Sequence, residues 1–217
     1  MKKSIIWDFN GTILDDRGIC LQALNRMLDR RRLPPVSDAE YLADFDFPVQ
    51  HYYSLLGFDF AREPFSELAA EYMAIYQPAS FRCTLRRDVL QILDSFRSAG
   101  YGQILLSATS RPFLLKQLRH FGLEPNFTAI LGLDDIFGRS KLDMACRWFS
   151  EQRYQPEDLL LIGDTTHDFS VASALGCRCI LLSGGHNARK RLEATGATVI
   201  DELRDLPDRI ADWLAET

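Results

Sequence analysis

Short apolar runs alternate with helix-period segments along most of this chain, and that rhythm admits few folds. The runs Ser4 to Asp8, Gln103 to Ser107, Phe127 to Leu131, Leu159 to Gly163, Arg178 to Leu182 and Ala197 to Ile200 read as buried strands. Between them, Val89, Ile92, Leu93 and Phe96 share one helix face, as do Leu114, Leu115, Leu118 and Phe121. Gly100 and Gly122 follow as helix stops. Parallel neighbours need a crossover, so strand–helix alternation predicts an α/β fold, a parallel Rossmann-like sheet with helices on both faces. With 217 residues, 47% of them hydrophobic, the chain can cover both faces. Chemistry in such sheets sits at the carboxyl ends of the strands.

The first interval breaks the rhythm. About 90 residues separate the first strand from the second, far more than a crossover requires. Helical patterns fill it at Ile19 to Arg30, Asp38 to Phe45, Val49 to Leu56 and Pro64 to Tyr76, punctuated by Pro34-Pro35, Pro48, Gly57 and Pro78. The expected organisation is a core of residues 1–16 and 81–217 and a small all-helical cap at 17–80, inserted after the first strand. No internal repeat or low-complexity stretch interrupts it.

A formal net charge of -5 supplies no basic field for a nucleic-acid backbone. The local run Arg30-Arg31-Arg32 reads as a solvated helix end. Five cysteines, with neither CxxC nor Cys/His zinc spacing, fit buried thiols in a reducing cytosol. The apolar stretch Ile5-Ile6-Trp7 is too short for a signal peptide. Nowhere does an uncharged apolar run approach the roughly 20 residues of a membrane span. The expectation is a soluble cytoplasmic protein, a monomer or small homo-oligomer, without nucleic-acid or membrane partners.

Asp8 ends the first strand and is followed at once by Asn10-Gly11-Thr12, a Gly-permitted tight turn at the sheet's carboxyl edge. Asp164 and Asp168 follow the strand Leu159 to Gly163 and can converge on one hard cation, as Mg²⁺ requires. Ser107, at a strand end, and Lys141, at a helix start, supply the hydroxyl and ammonium that a phosphoryl group needs. Each residue alone has a plainer reading, as a helix cap or solvated surface.

The ordered set, Asp8-Phe9-Asn10-Gly11-Thr12, Ser107, Lys141 and Gly163-Asp164 with Asp168, resembles the four motifs of the haloacid dehalogenase superfamily. The helical insert resembles the cap called C1 in that superfamily. The resemblance implies a phosphatase acting on a small phosphorylated metabolite, with Asp8 attacking phosphorus to give an aspartyl-phosphate that water hydrolyses. It also implies Mg²⁺ held by Asp8, the Asn10 backbone carbonyl and Asp164, with Asp168 touching the ion or supporting its ligands. Ser107, Ala108 and Lys141 would bind the phosphoryl group, and Thr12 would bind it or support the first loop. The tail Leu181-Leu182-Ser183-Gly184-Gly185-His186 further resembles phosphoglycolate-phosphatase-type members.

Asn10 departs from the superfamily pattern, which usually has a proton-shuttling Asp there. An amide cannot shuttle a proton, and positioned acid/base catalysis is worth about 10²- to 10⁴-fold. The alternative is therefore a weakened phosphate-binding or regulatory protein, and Asn10→Asp is expected to raise turnover. A phosphonoacetaldehyde hydrolase needs a cap lysine, and none lies between Lys3 and Lys116. A metal-free dehalogenase has no use for Asp164 and Asp168, and a sugar-phosphate mutase needs the missing acid/base. His186 and His167 read as exposed or outward-facing. Most cap aromatics, Phe45, Phe47, Phe58 and Phe60 among them, read as the cap's own core, with His51 and either Tyr52 or Tyr53 as candidate substrate contacts.

Overall fold

The computed structural model describes residues 3–133 and 140–215. In chain order, β1 (Ser4–Trp7) and β2 (Leu14–Asp15) precede α1 (Arg17–Arg30), α2 (Asp38–Asp44), α3 (Val49–Leu55) and α4 (Phe65–Ser80). Then come β3 (Thr84–Leu85), α5 (Val89–Ser98), β4 (Gly102–Ser110), α6 (Arg111–His120) and β5 (Ala129–Leu133). The chain continues with α7 (Lys141–Gln152), β6 (Leu159–Gly163), α8 (Thr166–Leu175), β7 (Arg178–Leu182), α9 (Arg189–Glu193) and β8 (Thr198–Ile200).

A six-stranded parallel sheet runs in the order β5-β4-β1-β6-β7-β8. Period-2 alternation sends successive strand residues to opposite faces. Ile5, Trp7, Leu105, Leu160 and Ile162 therefore join one core cluster with Leu93 of α5 and Leu114 of α6. Ile6, Ile104, Leu106, Leu159 and Leu161 join another with Phe149 of α7 and Val171 of α8. This is the expected Rossmann-like arrangement, helices on both faces. Because β1 lies between β4 and β6, with Trp7 level with Leu105 and Ile162, the residues that follow all three strands emerge at one edge.

The structure departs from the sequence expectations in several places. β4 runs three residues past Ser107, because the β4–β5 register shifts between Leu106 and Ser110 and the ladder resumes beyond it. α4 continues through Pro78 to Ser80, giving up the i→i−4 hydrogen bond that a residue with an N–H would make at position 78. β2 and β3 pair as a two-stranded antiparallel ladder, Leu14 with Leu85 and Asp15 with Thr84, joining the two connectors of the helical insert. Lastly, Arg31 is not merely solvated. Its guanidinium donates to Glu63 at 2.7 and 2.8 Å and to Glu71 at 2.6 Å, clasping the end of α1 to α4.

The insert packs around its own cluster of Leu24, Met27, Leu28, Tyr41, Tyr52, Tyr53, Phe58 and Leu68, flanked by Phe45, Phe60, Phe65 and Tyr72. It also bonds to the loop after β7. Ala188 N–H donates to the Leu42 carbonyl at 2.9 Å, while the Asn187 and Arg191 side chains both donate to the Phe45 carbonyl.

Candidate active site

Asp8 follows β1, with its N–H on the Ile162 carbonyl at 2.9 Å, and is almost fully buried. Asp164 follows β6, also buried. Thr165 then caps α8: its hydroxyl accepts from Asp168 N–H, and the Asp168 carboxylate accepts from Thr165 in return. That cap fixes Asp168, whose Oδ2 also accepts the Asp164 N–H at 3.2 Å. Asp168 is thus a helix cap and a site residue at once. Ser140 and Asp143 form a second capping box, starting α7 so that Lys141 stands in its first turn.

The side chains converge. One oxygen each of Asp8, Asp164 and Asp168 lie within 4.8 Å of one another. The Lys141 ammonium bridges Asp8 and Asp168, the latter at 2.5 Å. Burial, with the charges of Asp168 and Asp164 adding to it, raises the Asp8 pKa well above the usual carboxylate range although Lys141 opposes the rise. Burial likewise raises Asp164, against the charge of His186. Asp168 goes the other way: burial alone would raise it, but the Lys141 ammonium holds it below its ordinary value. Lys141 is itself raised, because its two carboxylates outweigh its burial. Three buried carboxylates facing one ammonium form a hard-oxygen donor set with excess negative charge. The residues present fit Mg²⁺.

The rest of the first loop supports this cluster. Thr12 donates its hydroxyl to Asp164 Oδ1 at 2.7 Å, and His186 N–H donates to Asp164 Oδ2 at 2.7 Å. Gly11, at φ +76°, and Gly185 approach so closely that a Cβ on either would lie 2.2 Å from Asp164 Oδ2. Ser107 accepts from Thr109 N–H at 3.1 Å, and Ala108 lines the cavity above the carboxylates.

Asn10 belongs to a separate network. Its amide donates to Asp16 Oδ2 at 2.6 Å and to the Tyr76 hydroxyl at 2.7 Å, while its carbonyl oxygen accepts from Thr109 at 2.9 Å and more distantly from Ser107 at 3.4 Å. Tyr76 in turn donates to Asp16 Oδ2 at 2.6 Å, and Gly11 N–H to Asp16 Oδ1 at 2.9 Å. His186 contradicts the expectation of an exposed loop imidazole. It is buried, with Nε2 3.2 Å from Asp16 Oδ1 and Nδ1 2.9 Å from the Tyr41 hydroxyl of α2. Burial alone would lower its pKa, but the hydrogen bond and charge of Asp16 overcome that and raise it to about 9. Burial would raise Asp16, yet His186, Tyr76 and Asn10 together hold it below its usual value.

His167 does not point away from the insert either. Its ring stacks on Phe47, centroids 4.8 Å apart. His51 lies on the exposed side of α3 and outside the cavity, because the helical phase that buries Tyr52 and Tyr53 turns residue 51 outward. Sequence reading gave no role to Tyr41, Tyr76 or Asn187. Their contacts span up to 145 residues of chain and leave no local signal. A cavity of about 720 Å³ rises from Asp8 and Lys141 into the insert, walled there by Phe45, Phe47, Tyr72 and Met73.

Among known proteins, the tyrosine-protein kinase PtkA of Mycobacterium tuberculosis is 26% identical over 209 residues, 93% of this chain and 71% of PtkA. A phosphoglycolate phosphatase of Nitrosospira multiformis is 28% identical over 199 residues, 85% of either chain. The solved structure of a predicted phosphatase from Clostridium acetobutylicum superposes with a TM-score of 0.82 at 17% identity, covering 98% of this chain and 99% of its own. The sequence profile of the haloacid dehalogenase-like hydrolases matches residues 5–182, most of the chain and every motif residue named above, and the protein is a member of that hydrolase family.

Proposed function

We propose that this hydrolase is a Mg²⁺-dependent phosphatase that acts on a small phosphorylated metabolite through an aspartyl-phosphate on Asp8. The observation that carries the reading is the convergence of Asp8, Asp164 and Asp168 at the sheet edge with Lys141 bridging two of them. The phosphoglycolate phosphatase among the relatives is in keeping with it.

In this reading Asp8, Asp164 and the Asn10 backbone carbonyl hold the Mg²⁺, and Asp168 fixes Lys141 and the Asp164 backbone. When bound, the ion offsets the negative charge of the phosphoryl oxygens beside the carboxylates. An Asp8 carboxylate oxygen attacks phosphorus, forming the Asp8 O–P bond as the ester P–O bond breaks and the leaving oxygen departs with the bonding electrons. Lys141 keeps Asp8 and the incoming phosphate compatible, and Ser107 and the Ala108 backbone take phosphoryl oxygens. Water then attacks the phosphoryl group, the Asp8 O–P bond breaks, and carboxylate and inorganic phosphate are regenerated.

One observation favours a second reading, a phosphate-binding or regulatory protein: the Asn10 amide is turned onto Asp16 and has no proton to give. Phosphate release from an activated aryl phosphate in Mg²⁺ separates the two. Enzymatic release that chelation stops, and that Asp8→Ala lowers by at least 10³-fold, supports the phosphatase. Phosphate binding without release supports the binder.

A further inference from the structure

The side chains lining the cavity above Asp8 decide what it can accept next to a phosphoryl group. Its volume, about 720 Å³, lies within the ~300–1,000 Å³ that encloses a drug-sized molecule, and far exceeds what a two-carbon acid fills. Phe45, Phe47, Tyr72 and Met73 make its wall on the insert side apolar. Among the described residues, the basic side chains lining it are Lys141, His167 and His186. Lys141 is committed to Asp8 and Asp168. Both ring nitrogens of His186 are committed to Asp16 and Tyr41. His167 presents its ring face to Phe47. A substrate carboxylate entering this space would be desolvated against mostly aromatic rings, with no uncommitted cation among the described residues to receive it.

Asn10 points the same way by a different route. Its amide is spent on Asp16 and Tyr76, so position 10 gives the departing oxygen no proton. Oxygens that leave as stabilised anions, phenoxides above all, lose little by this. Alkoxides lose the most.

Resting on the phosphatase reading above, we infer that the substrates are small aryl phosphate monoesters, cleaved at the bond between phosphorus and a phenolic oxygen, with the ring in the aromatic part of the cavity. Phosphorylated aliphatic acids are poor substrates. In the first step the Asp8 oxygen bonds to phosphorus while the phenoxide leaves with the P–O electron pair and takes its proton from solvent. In the second, water releases inorganic phosphate from Asp8.

The test is a comparison of kcat/KM for the full chain in Mg²⁺ with phenyl phosphate, 1-naphthyl phosphate, 4-carboxyphenyl phosphate and 2-phosphoglycolate. Phenol and naphthol leave with similar ease, so a preference for naphthyl of about tenfold reads the apolar wall. The 4-carboxylate eases departure of the leaving group, so a tenfold or greater drop with that ester reads the absent cation. Phe47→Ala, with Phe47→Leu as a milder variant, is expected to cut the naphthyl preference to threefold or less. Met73→Arg is expected to raise the relative rate on 2-phosphoglycolate by about tenfold. The inference is overturned, with the phosphatase reading intact, if 2-phosphoglycolate or 4-carboxyphenyl phosphate matches phenyl phosphate. It is also overturned if a phosphotyrosine peptide outruns every small ester, since the occupant would then be a polypeptide. Absence of turnover on every ester overturns both readings.

Discussion

At the scale of single residues, Asn10 is held in place by Asp16. Asp16 lies 2.6 Å from the Asn10 amide, and against the effect of its burial, His186, Tyr76 and Asn10 hold its pKa below the usual value. A carboxylate at position 10 would face another carboxylate inside the protein. The sequence alone suggested that Asn10→Asp raises turnover; the geometry reverses that. Asn10→Asp alone is expected to lower both stability and kcat, whereas Asn10→Asp with Asp16→Asn exchanges donor and acceptor and recovers the hydrogen bond. Thermal melts and kcat on phenyl phosphate check this, and a single variant faster than both wild type and the double variant would refute it. Asp8, Lys141, Asp164 and Asp168 were legible because each stands beside a strand end or helix start that the apolar pattern marks. The Asp16–His186 pair was not, because it joins residues 170 positions apart and neither lies in a periodic segment.

At the scale of elements, helix starts do much of the positioning, since the capping boxes of α7 and α8 place Lys141 and Asp168 by the same hydrogen bonds that begin their helices. Within the insert, the Arg31 clasp joins α1 to α4 with partly buried charges. Burial would raise the Glu71 pKa, but hydrogen bonds from Arg31 and Arg30 hold it below its ordinary value. Its stabilising effect is therefore present above the unfolded pKa of about 4.3 and is lost as pH falls through the lower folded value. Arg31→Ala is expected to lower Tm by roughly 2–4 °C at pH 7, with the gap narrowing as pH falls below 4, read from melts of both proteins across that range. A constant gap at all pH values would assign Arg31 to packing instead. Long periodic helices were read to within a few residues. β2 and β3 were missed because two-residue strands carry no period, and the end of α4 because Pro78 reads as a break wherever it falls.

At the scale of the whole molecule, the sheet and its two faces were legible because alternating strand residues and one-sided helices admit one economical packing. The pairing of distant side chains across the cleft is a product of that packing and has no sequence period. The same packing buries three carboxylates against one ammonium, which links folding to the cation. Mg²⁺ at about 100 times its Kd is expected to stabilise the protein by about 2.7 kcal/mol, a Tm rise of roughly 5–10 °C. Asp164→Ala is expected to abolish that rise in differential scanning calorimetry, and a full shift in the variant would move the cation elsewhere. The β2–β3 ladder has a mechanical consequence as well. Both connectors of the helical insert are tied side by side as one ribbon, so the insert is mounted like a door on a strap hinge rather than on a swivel. Were the insert to swing about that ribbon, Tyr41 would part from His186 and Phe47 from His167 in the same movement.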